Sequence, residues 1–248
     1  MSMRSSGGFT IIELSLFVAI SAVIMISLMV GWSVAVNTQS YKDSARTLAQ
    51  VLQQQYSDTI NVSNDRANQI SCRLDASTVR IEDNGSGAVP IGASRCVVMG
   101  RYVIINGTNL SMSDIVGYQP SSTAFTTDLQ AIQGYYPTKE DSTVIPDETY
   151  EIAWSTRPYI ATLANTAKVA LVIVRSPLTG TVYTYTKQLT NNMQPSVTDV
   201  ITTGTMAGVK LCLDPGAPVA QGKMAVQIAA NAVSTAGVAV LGDAGAGC

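Results

Sequence analysis

The sequence predicts an α+β fold in which a long amino-terminal α-helix, a membrane stem continuing into the head, packs on a globular head rich in antiparallel β-sheet. An uncharged apolar run extends from Leu14 to Val36, and an amphipathic segment follows it without a proline or a glycine cluster. After Ile60, short apolar stretches alternate with Gly, Asn, Pro and Ser. This last pattern is typical of strands joined by turns.

The apolar run is long enough to be a transmembrane helix. At about 1.5 Å per residue it spans roughly 34 Å, which covers the hydrocarbon core of a bilayer. An ordinary secretory signal has a basic region, a shorter apolar core and then a small-residue cleavage site. Here the small pair Gly7-Gly8 precedes the run, and Arg4 is the one basic residue before it. We therefore predict that residues 9–36 are retained as the membrane part of the stem.

Glu13 is an acidic side chain just inside this apolar segment. A carboxylate without a compensating charge is unfavourable there, so Glu13 needs a partner. If the chain is cut after Gly8, the new amine of Phe9 can neutralise Glu13, within one subunit or between neighbouring subunits. The alternative is a plain single-pass anchor with a chance acidic residue near its cytoplasmic edge.

The segment 37–57 predicts an amphipathic continuation of the same helix. Tyr41, Ala45, Leu48 and Leu52 recur at spacings of four, three and four residues, with polar residues between them. Such a stripe packs on a protein core. We expect one helix from about Thr10 to about Ser57; the alternative is a separate surface helix after a linker.

Residues 58–248 are expected to form the head, either as one unit or as two lobes. The Asn106-Gly107 pair and the stretch 176–180 predict turns that join antiparallel strands. The weakly periodic stretch 122–147 predicts a long surface excursion or a connection between lobes. The predicted strands are Thr78 to Ile81, Cys96 to Ile105, Asn109 to Met112, Tyr150 to Trp154, Val169 to Val174, Thr181 to Thr186, Val209 to Leu213, Met224 to Ile228 and Gly237 to Leu241.

Composition argues against most enzyme classes. Histidine is absent, which excludes Ser-His-Asp and Cys-His nucleophile arrangements and every imidazole metal site. We expect no catalytic residues, no metal site and no cofactor. The formal net charge of -2 provides no general attraction to nucleic acid.

The four cysteines predict disulfides in an oxidising compartment. They are Cys72, Cys96, Cys212 and Cys248, and none belongs to a CxxC motif. Four cysteines allow three pairings. We favour the local pairing, Cys72 with Cys96 and Cys212 with Cys248, while the other two pairings stay open.

The amino-terminal segment resembles the processing signature of type IV pilins and type II secretion pseudopilins, and it reads Gly8-Phe9-Thr10-Ile11-Ile12-Glu13-Leu14. The resemblance implies that a prepilin peptidase removes the leader, residues 1–8, by cutting between Gly8 and Phe9, and then methylates the amine of Phe9. It also implies that Glu13 pairs with that amine during assembly. A disulfide that closes a carboxy-terminal loop fits the family as well.

The order of elements around Cys212 is similar to that of H-type minor pseudopilins and related minor pilins. This implies a structural subunit that helps initiate or cap a type IV pilus, type II secretion or DNA-uptake filament. Some of these relatives bind DNA through clustered arginines, but the last sixty residues contain only Lys210 and Lys223 as basic residues. We therefore expect no nucleic-acid partner.

The expected partners are the prepilin peptidase, other pilin or pseudopilin subunits and the membrane. The expected location is a single-pass membrane protein with an extracytoplasmic head, which later joins a periplasmic or extracellular filament. Two alternatives stay open: a pilus-tip or membrane-tethered adhesin, and the major filament-forming pilin.

Overall fold

The structure is a computed structural model, which describes residues 10–61, 70–75, 78–83, 95–121, 124–140, 146–160, 168–189, 194–216 and 222–248. It confirms the α+β class: a helix of 50 residues is followed by antiparallel sheets. The helices are α1 (Ile11–Ile60), α2 (Asp128–Gly134), α3 (Val197–Thr203) and α4 (Asp243–Ala246). The strands are β1 (Ile70–Asp75), β2 (Thr78–Asp83), β3 (Cys96–Asn106), β4 (Asn109–Tyr118), β5 (Thr138–Lys139), β6 (Glu148–Glu151), β7 (Arg157–Tyr159), β8 (Lys168–Arg175), β9 (Val182–Gln188), β10 (Val209–Asp214), β11 (Met224–Ile228) and β12 (Val238–Leu241).

The second half of α1 is the centre of the head. The predicted stripe of Tyr41, Ala45, Leu48 and Leu52 is buried, with each side chain at most 2% exposed. Tyr56 extends the stripe by one more turn and is fully buried. The prediction of one helix running into the head is confirmed, and α1 ends at Ile60.

The larger sheet has six strands and lies between helices on its two faces. Its order is β5-β4-β3-β8-β9, and β6 also pairs with β4. Because side chains alternate along a strand, Val103 and Leu171 face α1, whereas Tyr102 and Val172 belong to the cluster that contains the buried residues of α3. Both faces of this sheet are therefore covered.

The smaller sheet has four strands in the order β12-β11-β10-β7. Leu211 and Val226 of this sheet are fully buried in the same cluster as Leu48 and Leu52 of α1 and Leu171 of the larger sheet. The two sheets thus share one apolar core, which is organised around α1.

Both predicted hairpins are confirmed. β3 and β4 pair antiparallel up to Asn106 and Asn109, and Gly107 between them has a φ of +60°. β8 and β9 are joined through Gly180, whose φ is +76°. Glycine suits both positions because it alone adopts this left-handed conformation without a steric penalty from Cβ.

The disulfides have the local pairing. Cys72 of β1 is bonded to Cys96 at the start of β3, with a Cα–Cα distance of 5.4 Å. Cys212 of β10 is bonded to Cys248, with a Cα–Cα distance of 5.8 Å. The first bond ties the β1–β2 hairpin to the larger sheet, and the second ties the carboxy-terminal segment to the smaller sheet.

One expected strand of the head has wrong bounds, and one expected surface segment contains a buried helix. The strand predicted from Tyr150 to Trp154 ends at Glu151, because the chain then turns at Ala153–Ser155. In the stretch 122–147, of which residues 124–140 and 146–147 are described, the chain forms α2, whose Ala131 and Ile132 are fully buried against the larger sheet. This part is therefore not a surface excursion, and the alternative of a connection between lobes stays a prediction.

Candidate functional site along the amino-terminal helix

The first half of α1 is apolar on all sides and is not packed on the head. Every residue from 11 to 33 is exposed; Phe17 is 69% exposed, Leu28 68% and Trp32 76%. The most apolar 18-residue window of α1 has a mean hydropathy of 2.5 and is 0% buried. A helix that is apolar all round is normally covered by protein or lipid. By length and composition, α1 can cross a membrane.

Two serine hydroxyls within this half form hydrogen bonds inside the helix. Ser15 donates its hydroxyl to the carbonyl oxygen of Ile12 at 2.9 Å, and Ser27 donates to that of Val23 at 2.8 Å. The helix contains no proline, and it passes through Gly31 without interruption. Such internal hydrogen bonding is what a segment needs in a medium without water.

Glu13 lies at the start of α1 and closes a capping box with Thr10. Glu13 N donates to Thr10 Oγ1 at 3.4 Å, while Thr10 N donates to Glu13 Oε2 at 2.9 Å. Thr10 Oγ1 also donates to Oε2 at 3.1 Å. This reciprocal arrangement satisfies amide groups that an α-helix leaves free at its first turn.

The proposed partner of Glu13 lies outside the described residues. The structure describes the chain from Thr10 onward, so Gly8 and Phe9 are not described and the predicted cleavage stays a prediction. In the described part of the chain, the hydrogen bonds to the Glu13 carboxylate go to Oε2. The capping box therefore leaves Oε1 able to accept from an amine placed before Thr10.

The junction between the exposed and packed halves of α1 begins at Tyr41. Four polar residues, 37–40, separate the apolar run from Tyr41, which is the first buried residue of the helix. Tyr41 Oη donates to the carbonyl oxygen of Leu213 at 2.7 Å, and Met224 N donates to Tyr41 Oη at 3.0 Å. One turn later, Ser44 Oγ donates to the carbonyl oxygen of Ala153 at 2.8 Å.

A buried arginine fixes the distal part of α1 to the larger sheet. Arg101 of β3 is 8% exposed. Its Nε donates to Gln55 Oε1 of α1 at 2.8 Å, and its two terminal nitrogens donate to Asp114 Oδ1 and Glu148 Oε2, each at 2.6 Å. The planar guanidinium provides the several fixed donors that such a three-way contact needs.

Sequence reasoning missed the capping box and the Arg101 contacts. A signal existed for the first, since Thr10-x-x-Glu13 has the capping-box spacing, as does Ser196-x-x-Asp199 at the start of α3. No local signal identifies the second, because Arg101 and Gln55 are 46 residues apart in the sequence.

Among the residues that the structure describes, no group of three or more His, Cys, Asp or Glu side chains could hold a metal ion. The geometry instead consists of an exposed apolar helix with an acidic residue at its start and a head attached to its far half. Comparison with protein-family models, curated proteins and solved structures finds no match to this chain.

Proposed function

We propose that the chain is a minor pilin or pseudopilin, a structural subunit that helps initiate or cap a type IV pilus, type II secretion or DNA-uptake filament. One observation carries the proposal: a single uninterrupted helix presents an apolar, fully exposed half with Glu13 at its start, and its other half is the centre of a disulfide-bonded head.

The geometry of α1 supports a stem that is used in two environments. Before assembly, lipid covers the exposed apolar half, and Ser15 and Ser27 need no water because their hydroxyls bond within the helix. In a filament, the same apolar surface packs against the stems of neighbouring subunits. The head should move together with α1 as one rigid body, because hydrogen bonds of Tyr41, Ser44 and Gln55 connect α1 to the head and to both of its sheets.

The proposed charge pairing gives Glu13 a function beyond the helix start. Cleavage after Gly8 by a prepilin peptidase creates an amine at Phe9, directly before Thr10, whose backbone N–H and hydroxyl both donate to the Glu13 carboxylate. The carboxylate then compensates this amine within one subunit or in the next one. Methylation of Phe9 keeps the amine cationic and leaves the pairing in place.

Intact mass spectrometry of the protein extracted from membranes tests the proposal. The chain is co-expressed with a prepilin peptidase and measured with and without reduction. We expect a mass that begins at Phe9 with one added methyl group, and a gain of four hydrogens when the two disulfides are reduced. An uncut chain in the presence of an active peptidase would contradict the proposal.

The matched control is Gly8→Glu. This variant leaves the stem and the head unchanged but places a charged side chain at the cleavage position, so the full-length precursor should stay in the membrane fraction. The amount of this chain in sheared filaments distinguishes the two subunit roles. A few copies per filament indicate a minor subunit, whereas a chain that makes up most of the filament protein is the major pilin.

A further inference from the structure

Trp154 is exposed in a strained turn of the head. It lies in the short 3-10 turn Ala153–Ser155, with φ 61° and ψ 28°, and Ser155 has a φ of 55°. Both values are in the left-handed region, which side chains other than glycine rarely adopt because Cβ crowds the following carbonyl. The Trp154 side chain is nevertheless 64% exposed, so burial of the indole in the head does not explain the strain.

Contacts on two sides hold the turn in place. Ser44 Oγ of α1 donates to the carbonyl oxygen of Ala153 at 2.8 Å. On the other side is Gly216, where an added Cβ would lie 2.5 Å from the carbonyl oxygen of Ser155. Strained backbone that its surroundings hold in this way is found preferentially at functional positions.

The turn lies at the end of the head that faces the exposed half of α1. Ser44, its anchor, comes three residues after Tyr41, where burial begins. Ser44 follows the end of the apolar run at Val36 by eight residues, or about 12 Å of helix. The headgroup layer of a bilayer extends about 5–8 Å beyond the hydrocarbon core. The remaining gap is comparable to the length of an indole side chain and closes further when the helix tilts, as spanning helices generally do.

We propose that Trp154 inserts into the headgroup layer of the membrane that α1 crosses and so holds the head against the lipid surface. The inference rests on the membrane stem of the proposed function. Tryptophan prefers this layer because its ring is apolar while its N–H needs a polar partner. Exposed charges of both signs flank the site, with Lys42 and Arg157 beside Asp43 and Asp214. We therefore assign it to a zwitterionic lipid surface, for which phosphatidylcholine vesicles are the probe.

Single-tryptophan variants of the full chain test this assignment, because the protein contains only Trp32 and Trp154. Trp32→Phe leaves Trp154 as the reporter, and Trp154→Phe leaves Trp32. Each variant is inserted into preformed phosphatidylcholine vesicles at a low protein-to-lipid ratio. Emission is then measured with three quenchers: aqueous iodide, lipid carrying a nitroxide on the headgroup, and lipid brominated near the end of the acyl chain.

We expect Trp154 to lose emission with the headgroup nitroxide and to respond weakly to the chain-end bromines. It should also be shielded from iodide relative to free N-acetyltryptophanamide in the same buffer. Trp32 should respond to the lipid quenchers and be inaccessible to iodide. Retention of both disulfides and an unchanged circular dichroism spectrum establish that each variant is folded.

The two tryptophans test the insertion of Trp154 and the membrane stem separately. If Trp32 responds to lipid quenchers while Trp154 stays open to iodide and insensitive to the headgroup nitroxide, the assignment of Trp154 is overturned and the membrane stem stands. If neither tryptophan responds to lipid, both ideas fail. Shielding of Trp154 that appears only at high protein-to-lipid ratio would mean that a second copy of the chain covers it, which also overturns the lipid assignment.

Discussion

Tyr41 Oη donates a 2.7 Å hydrogen bond to the carbonyl oxygen of Leu213, which is 172 residues further along the chain. The same oxygen accepts from the amide nitrogen of Met224 at 3.0 Å. A single phenol therefore joins the first buried turn of α1 to two neighbouring strands of the smaller sheet. Since Tyr41 is only 2% exposed, water is poorly placed to replace either bond.

Tyr41→Phe should lower the free energy of unfolding by about 1–3 kcal/mol, because buried backbone groups lose their partner while the ring stays in place. Urea unfolding of the full chain in detergent, followed by circular dichroism, measures this. Tyr150→Phe is the matched control: Tyr150 packs against the same core, and the described residues show no hydrogen bond to its hydroxyl. Equal stability of the two variants would contradict the role of the Tyr41 hydroxyl.

The long helix was predictable from the sequence because the residue patterns that specify it lie within one continuous segment. An uncharged run of sufficient length and a stripe at spacings of four, three and four residues both follow from helix geometry. The buried set of Tyr41, Ala45, Leu48 and Leu52 agrees with that stripe. The strong strands β3, β8, β10 and β11 were also visible as apolar runs between turn residues.

The short helices of the head were not predictable in the same way. α3 contains Val197, Val200 and Ile201, β-branched residues that favour strands, and it is helical because these side chains pack on the outer face of the larger sheet. α2 has only seven residues, too few for a clear period. The turn at Trp154 depends on Ser44 and Gly216, which are distant in sequence.

Arg101 should be the most sensitive polar residue of the interface between α1 and the larger sheet. Arg101→Ala removes the partner of Gln55 and Asp114, and we expect a loss of about 3 kcal/mol, the lower end of the cost of breaking a buried ion pair. The lower end applies because the Glu148 side chain is 62% exposed. Urea unfolding of the full chain in detergent measures this.

Glu148→Gln is the control for Arg101. Because water reaches the Glu148 carboxylate, this change should cost less than about 1 kcal/mol. A cost equal to that of Arg101→Ala would mean that the exposed half of the contact dominates, which the burial of Arg101 and Gln55 argues against.

Tyr56 should make the free energy of unfolding of the head decrease with pH in the alkaline range. Its side chain is fully buried, and burial raises its pKa to about 12. An unfolded tyrosine has a pKa of about 10. Below pH 10 both states are protonated and the contribution of the neutral phenol is fully present. It is lost as pH rises through 10 towards 12, because only the unfolded chain releases the proton there.

The difference between the wild type and Tyr56→Phe isolates this contribution. Between pH 10 and 12 the wild type should lose on the order of 2 kcal/mol more stability than the variant. Urea unfolding at a series of pH values measures the loss, and the near-ultraviolet absorbance of tyrosinate reports the late titration directly. Parallel stability curves for the two proteins would show that Tyr56 ionises equally in both states.

Glu13 has two separable functions, the capping of α1 and the proposed pairing with the Phe9 amine. Glu13→Gln keeps an oxygen that accepts from Thr10 N but removes the charge. Glu13→Leu removes both. If incorporation into filaments requires the negative charge of Glu13, both variants should be cut at Gly8 and remain in the membrane fraction. Their amounts in sheared filaments should then be strongly reduced.

Thr10→Ala is the complementary control, because it removes the hydroxyl that accepts from Glu13 N and leaves the carboxylate. We expect this variant to enter filaments at nearly the wild-type level, since the helix start is supported by the long segment that follows it. Immunoblots of sheared and membrane fractions, with mass spectrometry for the cleavage, provide the measurement. Normal incorporation of Glu13→Gln together with failure of Thr10→Ala would assign Glu13 to helix capping and remove the charge pairing from the proposed function.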